Sequence, residues 1–369
     1  MIKLIKFYLR RLGKCNLKNF YQNYKFKIKD PILNRMLDNF INSKSYNYTS
    51  NIWRWVNIKN LKHLNEDGVK NYSKNVAENY FVMDDFNSEL IKKAFKNAKD
   101  KKINQELGMF ETIRNRGGAG DNIEKLLKTN VLTFLLFLNL KKNLISKAKL
   151  LRDNTYINFG KFSYISVNKT KFTQDKINSL FEYDILNKNK VMQKTGSILE
   201  IGAGSGRTTE AILTLSKNIK RYLIVDIPPA MYICYKRLKI AFPKKKIALG
   251  IDINNAKKLE MLIENNDIVF IFPHQLSDIS SKFDLTLAID CLHEFDESTR
   301  KFYSNFFYQH SKYLYFTVWK LAKLTYGLNP HKKIDGNNLK NYYIKNTSKI
   351  LEKDTLIYPS NFINYLIKL

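Results

Sequence analysis

The stretch Gly196–Leu213, GSILEIGAGSGRTTEAIL, decides the reading of this 369-residue chain. Ser197–Ile201 is a short apolar run of strand character, and Arg207 opens a segment, RTTEAILTLSK, with helical spacing. Between them Gly202, Gly204 and Gly206 stand at alternate positions. Glycines at a strand-to-helix turn permit backbone angles closed to other residues, and they remove Cβ atoms that would hold a ligand away. The helix start near Arg207 adds unpaired N–H groups and a positive dipole end, which favour a carboxylate or phosphate.

Working outward, strand and helix patterns alternate. RYLIVDI is a second strand, and PPAMYICYKRLKIAF a helix whose first position suits proline. The helical NAKKLEMLIENN precedes a third apolar run, DIVFIF, and FDLTLAID and YLYFTVW follow. Apolar strands without alternation, separated by helices, predict a mostly parallel sheet buried on both faces. The fold class is therefore α/β and Rossmann-like. Upstream, DPILNRMLDNFINS (30–43), NSELIKKAFKNAKD (87–100) and DNIEKLLKTNVLTFLLFLNLKKN (121–143) read as helices, the second capped by Asn87 or Ser88. Near 157–173 the period changes to two, which predicts a hairpin turning at Asn168–Lys169, and a helix follows from Thr173 to Asn187. PSNFINYLIKL at the end reads as a closing helix. Three units are expected: a mainly helical region 1–155 serving substrate recognition or as a lid, a ligand-binding domain 156–330, and an extension 331–369 that completes it.

The dinucleotide fingerprint GxGxxG needs glycine at position 207, where Arg207 stands. The spacing present is E-x-G-x-G-x-G, headed by Glu200. A carboxylate suits a ligand's ammonium group better than a pyrophosphate, while the loop N–H groups suit a carboxylate. An amino-acid moiety fits both ends, and this points to S-adenosylmethionine. The second strand ends in Asp226, which can accept both hydroxyls of a ribose.

With these residues the chain resembles the class I S-adenosylmethionine-dependent methyltransferases over roughly 197–320. The resemblance implies a seven-stranded, mostly parallel sheet with helices on both faces. It also implies a donor site of Glu200, Gly202, Ala203, Gly204, Gly206, Asp226 and Ile227, with Asp290 lining the pocket. Gln275, just past the third apolar run, is the residue chosen for the adenine edge; a solvated turn is the competing reading.

Ile289–Thr299, IDCLHEFDEST, places His293 just past a strand's carboxyl end and resembles the LHDWSDE stretch of small-molecule O-methyltransferases, where histidine is the general base. A hydroxyl is a weak nucleophile, and a histidine of ordinary pKa can remove its proton near neutrality. Glu294 either orients the imidazole or is itself the base, and the alternative is that His293 only packs. No His, Asp or Glu set has metal-ligand spacing, so no metal is expected.

A longer match, IVDIPPAMYICYKRLKIAFP with NDIVFIFPHQLSDISSKFDLTLAIDCLHEF, is similar to a bacterial family assigned to sugar O-methylation. That family often has glutamine where His293 stands. The likeness implies methylation of a saccharide hydroxyl, with a sugar, nucleotide sugar or glycan as partner. Trp53, Trp55 and Tyr164 can stack on sugar rings or simply pack in a core. Arg114–Asn122, RNRGGAGDN, is either a lid gripping an anionic substrate or a plain loop. The competing functions are methylation of another metabolite or of RNA, and a non-catalytic scaffold.

Composition bounds the rest. The net charge of +30 suggests an anionic partner, but the lysines are spread along the chain as AT-rich coding would spread them, so no nucleic acid is expected. Cys15, Cys234 and Cys291 form no CxxC, which suits a reducing cytoplasm. The basic N-terminus has an amphipathic pattern that fits a docked helix or contact with an anionic membrane surface. Val131–Leu140 is about half the length that spans a bilayer.

Overall fold

The computed structural model describes residues 28–45, parts of 53–69, 133–151 apart from 135, 164–319, 321–323, 333–344, 349–354 and 362–369. The helix expected at 87–100, most of that at 121–143, the Arg114–Asn122 loop, Trp55 and the N-terminal segment lie outside the described residues.

Helix α1 (Pro31–Asn42) starts on Asp30, whose side chain accepts from the N–H groups of Ile32 and Leu33, with proline at the first position. This is the arrangement its sequence calls for. Helix α2 spans Lys142–Ala148. Strands β1 (Ile165–Val167) and β2 (Thr170–Phe172) form the expected hairpin. Asn168 and Lys169 both take positive φ, 48° and 64°, as a two-residue hairpin turn of this twist requires. Helix α3 (Gln174–Lys188) is capped by Thr173.

The main sheet then begins. β3 (Ser197–Ile201), α4 (Arg207–Leu215), β4 (Arg221–Val225), α5 (Ala230–Ala241), β5 (Ile247–Leu249), α6 (Ala256–Asn265), β6 (Ile268–Ile271), β7 (Phe283–Ile289), α7 (Glu297–His310) and β8 (Ser311–Trp319) follow in order. A small ribbon of β9 (Leu321–Lys323) and β10 (Lys333–Asp335), then α8 (Gly336–Tyr343), β11 (Lys349–Asp354) and β12 (Phe362–Lys368), complete the described chain.

The sheet has eight strands in the order β11-β12-β8-β7-β3-β4-β6-β5. Strands β3 to β8 are mutually parallel, and β12 runs antiparallel to both its neighbours. Seven strands are expected; β5, a three-residue strand that among the described residues pairs with β6, and β11 are not read as strands from the sequence. The closing helix is also corrected: Phe362–Lys368 is a strand. Ile363, Tyr365 and Ile367 enter the core on one face and Leu366 the core on the other. Its buried Asn364 accepts from Tyr315 Oη at 3.0 Å and Thr317 Oγ1 at 2.8 Å. Apolar side chains on both faces give the same composition as a buried helix, so periodicity alone does not separate the two.

Both faces are covered, as nearly continuous apolar strands require. Ile198 packs with α1, α3, α4 and α5 on one face, whereas Leu199 and Ile201 pack with α6, α7 and α8 on the other. At the amino ends of β3 and β7, Asp284 Oδ2 accepts from the N–H groups of Gly196 and Ser197 at 2.8 and 3.0 Å, which pins their register. Strand order reverses direction between β3 and β7. That switch point opens a crevice at the carboxyl edge of the sheet, where ligands of doubly wound folds bind.

Candidate functional site

The turn after β3 lies at this switch point. Gly202, Gly204 and Gly206 all have positive φ, at 69°, 57° and 76°, a region that side chains with a Cβ disfavour. A Cβ on Gly206 would also lie 2.6 Å from Cys234 Sγ on α5. The glycine there brings α5 against the start of α4 as well as shaping the turn.

Asp226, at the end of β4, holds this turn. Its Oδ2 accepts from Gly204 N–H at 2.8 Å and its Oδ1 from Ile227 N–H at 2.7 Å. Burial, with Glu200 nearby, pushes its carboxyl up to about 7 despite those two donors. Glu200 is buried and turned toward α4 and β4: its Oε2 accepts from Thr209 Oγ1 at 2.6 Å and Tyr222 Oη at 2.5 Å. Burial raises its carboxyl too. Ala203 is buried beside it.

Arg207 does not turn its side chain to the crevice. It grips Glu182 of α3 through both terminal nitrogens at 2.8 Å. Arg237, buried on α5, donates to Glu210 at 2.7 Å and to Ser205 Oγ, inside the glycine turn, at 3.1 Å. Neither Glu182 nor Arg237 was singled out from sequence, because nothing local marks a residue whose partner is more than twenty positions away. Beside this network, Gln174 Nε2 and Oε1 and Asn178 Oδ1 are buried without a hydrogen-bond partner, while Asp175 Oδ2 lies 3.6 Å from Arg237. They lie in the first two turns of α3, the part that faces Arg207 and Arg237.

Gln275 has a bracing role. Its Oε1 accepts from Phe272 N–H, and its Nε2 donates to the carbonyls of Gly250 and Ile253, all at 2.8 Å. The amide is committed to joining the loops after β5 and β6, so a contact with an adenine edge would require one of these bonds to be released. Gln275→Leu is expected to lower unfolding stability by about 2–3 kcal/mol, since three buried backbone groups lose their partner; urea unfolding measures it.

Past β7, Asp290 takes φ 58° and its N–H donates to Thr317 O at 3.0 Å, turning Leu292–Glu294 back across the sheet edge. His293 Nε2 lies 3.5 Å from Asp290 Oδ1 and 4.0 Å from Glu294 Oε1. Its side chain is only 1% exposed, against 14% for Glu294. Burial, with Arg300 nearby, depresses the imidazole pKa to about 3. Burial, Asp290 and Asp226 lift the Glu294 carboxyl well above its ordinary range.

The N-terminal segment follows this edge loop by loop. Asp30 meets Tyr232 and Lys236 of α5 at 2.6 and 3.2 Å. Asn39 and Arg35 bond Asp252 after β5, and Ser45 bonds His274 after β6 at 2.7 Å. Trp53 Nε1 donates to Glu294 Oε2 after β7. Helix α5 and the three loops after β5, β6 and β7 thus share one cover.

No family model matches the chain, and no curated protein matches it. Among solved structures it is similar to a bacterial methyltransferase domain at 12% identity, over 53% of this chain and 100% of that one, with a TM-score of 0.35. An O-methyltransferase family protein from Burkholderia thailandensis is similar at 11% identity, over 53% and 59%, with a TM-score of 0.35. A glycopeptide N-methyltransferase complexed with sinefungin gives 10%, 52%, 86% and 0.34 in the same order. Among the described residues no group of three or more His, Cys, Asp or Glu is placed to hold a metal ion. No described helix is long and apolar enough to cross a membrane.

Proposed function

We propose that this chain is an S-adenosylmethionine-dependent O-methyltransferase whose acceptor is a hydroxyl of a sugar, nucleotide sugar or glycan precursor. The observation that carries the reading is a cluster of buried carboxylates beside a bare glycine turn. Glu200, Asp226, Asp290 and Glu294 gather where β3, β4 and β7 end. Asp226 is raised by burial and by Glu200, and Glu294 by burial, Asp290 and Asp226, and among the described residues no cation offsets either. Such a site favours a ligand that brings positive charge. The donor fits this chemistry. Its sulfonium and ammonium groups meet the carboxylates, its ribose hydroxyls suit Asp226, and its own carboxylate suits the turn N–H groups and the start of α4. When bound it supplies an electrophilic methyl group. The residues of the chain then hold the acceptor in line and take its proton. The sugar acceptor rests on the sequence likeness carried by Ile224–Pro243 and Asn266–Phe295.

Donor binding should depend on pH in a defined sense. In the free protein Asp226 titrates near 7, and a cation beside it favours its ionised form. Affinity is therefore expected to rise from about pH 6 to about pH 8, with protons released on binding. Calorimetry in buffers of different ionisation enthalpy checks this; affinity that falls over that interval would count against the acidic edge as the donor's seat. The function itself is tested by incubating the protein with labelled donor and a panel of nucleotide sugars and glycans. A saccharide that gains one methyl group supports the proposal. Transfer only to RNA or to a non-saccharide metabolite overturns the acceptor assignment, and donor binding without transfer to any acceptor favours a scaffold.

A further inference from the structure

Among the described residues, a side-chain bond joins the N-terminal cover to the candidate catalytic segment. Trp53 belongs to the cover, Glu294 to the turn after β7, and they are 241 positions apart. The bond takes Oε2 of Glu294 and leaves Oε1, 4.0 Å from His293 Nε2. The two candidate bases of this segment are unequal. His293 is sealed at 1% exposure with Phe362 edge-on to its ring, and Arg300 of α7 donates to its carbonyl at 3.1 Å. Glu294 keeps 14% of its side chain open.

We infer that Glu294 Oε1 is the proton acceptor of the reaction and that Trp53 is the positioning residue that fixes this carboxylate by occupying Oε2. The inference rests on the methyltransferase reading given above. In the step it describes, the acceptor hydroxyl proton passes to Glu294 Oε1. The hydroxyl oxygen forms its bond to the methyl carbon, and the electron pair of the broken carbon–sulfur bond stays on sulfur, which becomes neutral. Basicity agrees with this assignment. An imidazole titrating near 3 is a weak acceptor for an alcohol proton, whereas a carboxylate raised by burial is a stronger one. Among the described residues, the groups facing Glu294 are Asp290 and Cys291 on its own turn, Asp226 from the end of β4, His293 and the Trp53 indole. The two carboxylates favour its protonated form and the indole N–H favours its ionised form.

One readout needs no acceptor. The chain has three tryptophans, and Trp53→Phe assigns the indole Nε1–H resonance of Trp53 by its loss. That resonance is expected to titrate with a midpoint above the ordinary carboxylate range, and Glu294→Gln is expected to abolish the titration. With the acceptor found, Trp53→Phe should lower kcat about tenfold and move the acidic limb of the pH profile upward, since a donor favouring ionisation is lost. Trp53→His, which restores a ring N–H, should recover part of this. Glu294→Gln should lower kcat by on the order of a hundredfold or more. S-adenosylmethionine affinity is measured in every variant. If the wild type binds no donor, the parent reading fails. If all variants bind donor but the indole does not titrate, or Glu294→Gln keeps full turnover while His293→Asn loses it, this inference alone is overturned.

Discussion

Asp226→Ala is expected to weaken S-adenosylmethionine binding by roughly a hundredfold, because two charge-assisted hydrogen bonds of about 1.5–3 kcal/mol each are at stake in the bound state. The same change frees the Gly204 N–H that Asp226 holds at 2.8 Å, so the turn loses its brace along with the carboxylate. Asp226→Asn discards the charge and keeps one acceptor, but sets its NH2 against the other of the two N–H groups that the carboxylate accepts from. The sign of the stability change is informative. A carboxyl raised to about 7 contributes stability below its unfolded pKa and loses it as pH rises through 7. The asparagine variant should therefore be less destabilised relative to the wild type at about pH 8 than at about pH 5, while binding donor more weakly. Thermal unfolding and calorimetry on one preparation measure both. A variant that binds donor normally would remove Asp226 from the site.

Gly206→Ala is expected to lower stability by about 2–4 kcal/mol, combining a left-handed backbone penalty with overpacking. The added Cβ would sit 2.6 Å from Cys234 Sγ at φ 76°. The contributions can be separated. Cys234→Ala in the same chain removes the collision but not the backbone cost, so the double variant should recover the overpacking part only. Urea unfolding of the four proteins of this cycle gives both values. Equal stability of Gly206→Ala and wild type would mean that the turn is not built as described.

The features legible in the sequence are those fixed by neighbours along the chain. Asp30 before Pro31 announces a capped helix, Asn168–Lys169 a tight hairpin, and the Gly202–Gly206 spacing a strand-to-helix turn. Each needs only a few consecutive residues to be recognised. What escaped depends on distant partners. Phe362–Lys368 is apolar on both faces because β8 and β11 flank it and helices cover the sheet, and its sequence alone suits a helix equally well. Strand β5 has three residues and exists through its pairing with β6. Gln275 is held by carbonyls more than twenty positions upstream, so its place after a strand gave no sign that its amide was committed. Trp53 reads from sequence as core packing or sugar stacking; only the folded chain places its indole against Glu294.

The central claim is that the glycine turn and the carboxylates around it form a seat for a cationic, zwitterionic donor. A calorimetric titration of the whole chain with S-adenosylmethionine tests it most directly. Saturable one-to-one binding that weakens in Asp226→Ala and tightens as pH rises through neutrality is the predicted result. An absence of binding heat up to millimolar donor, in protein shown to be folded, would contradict it.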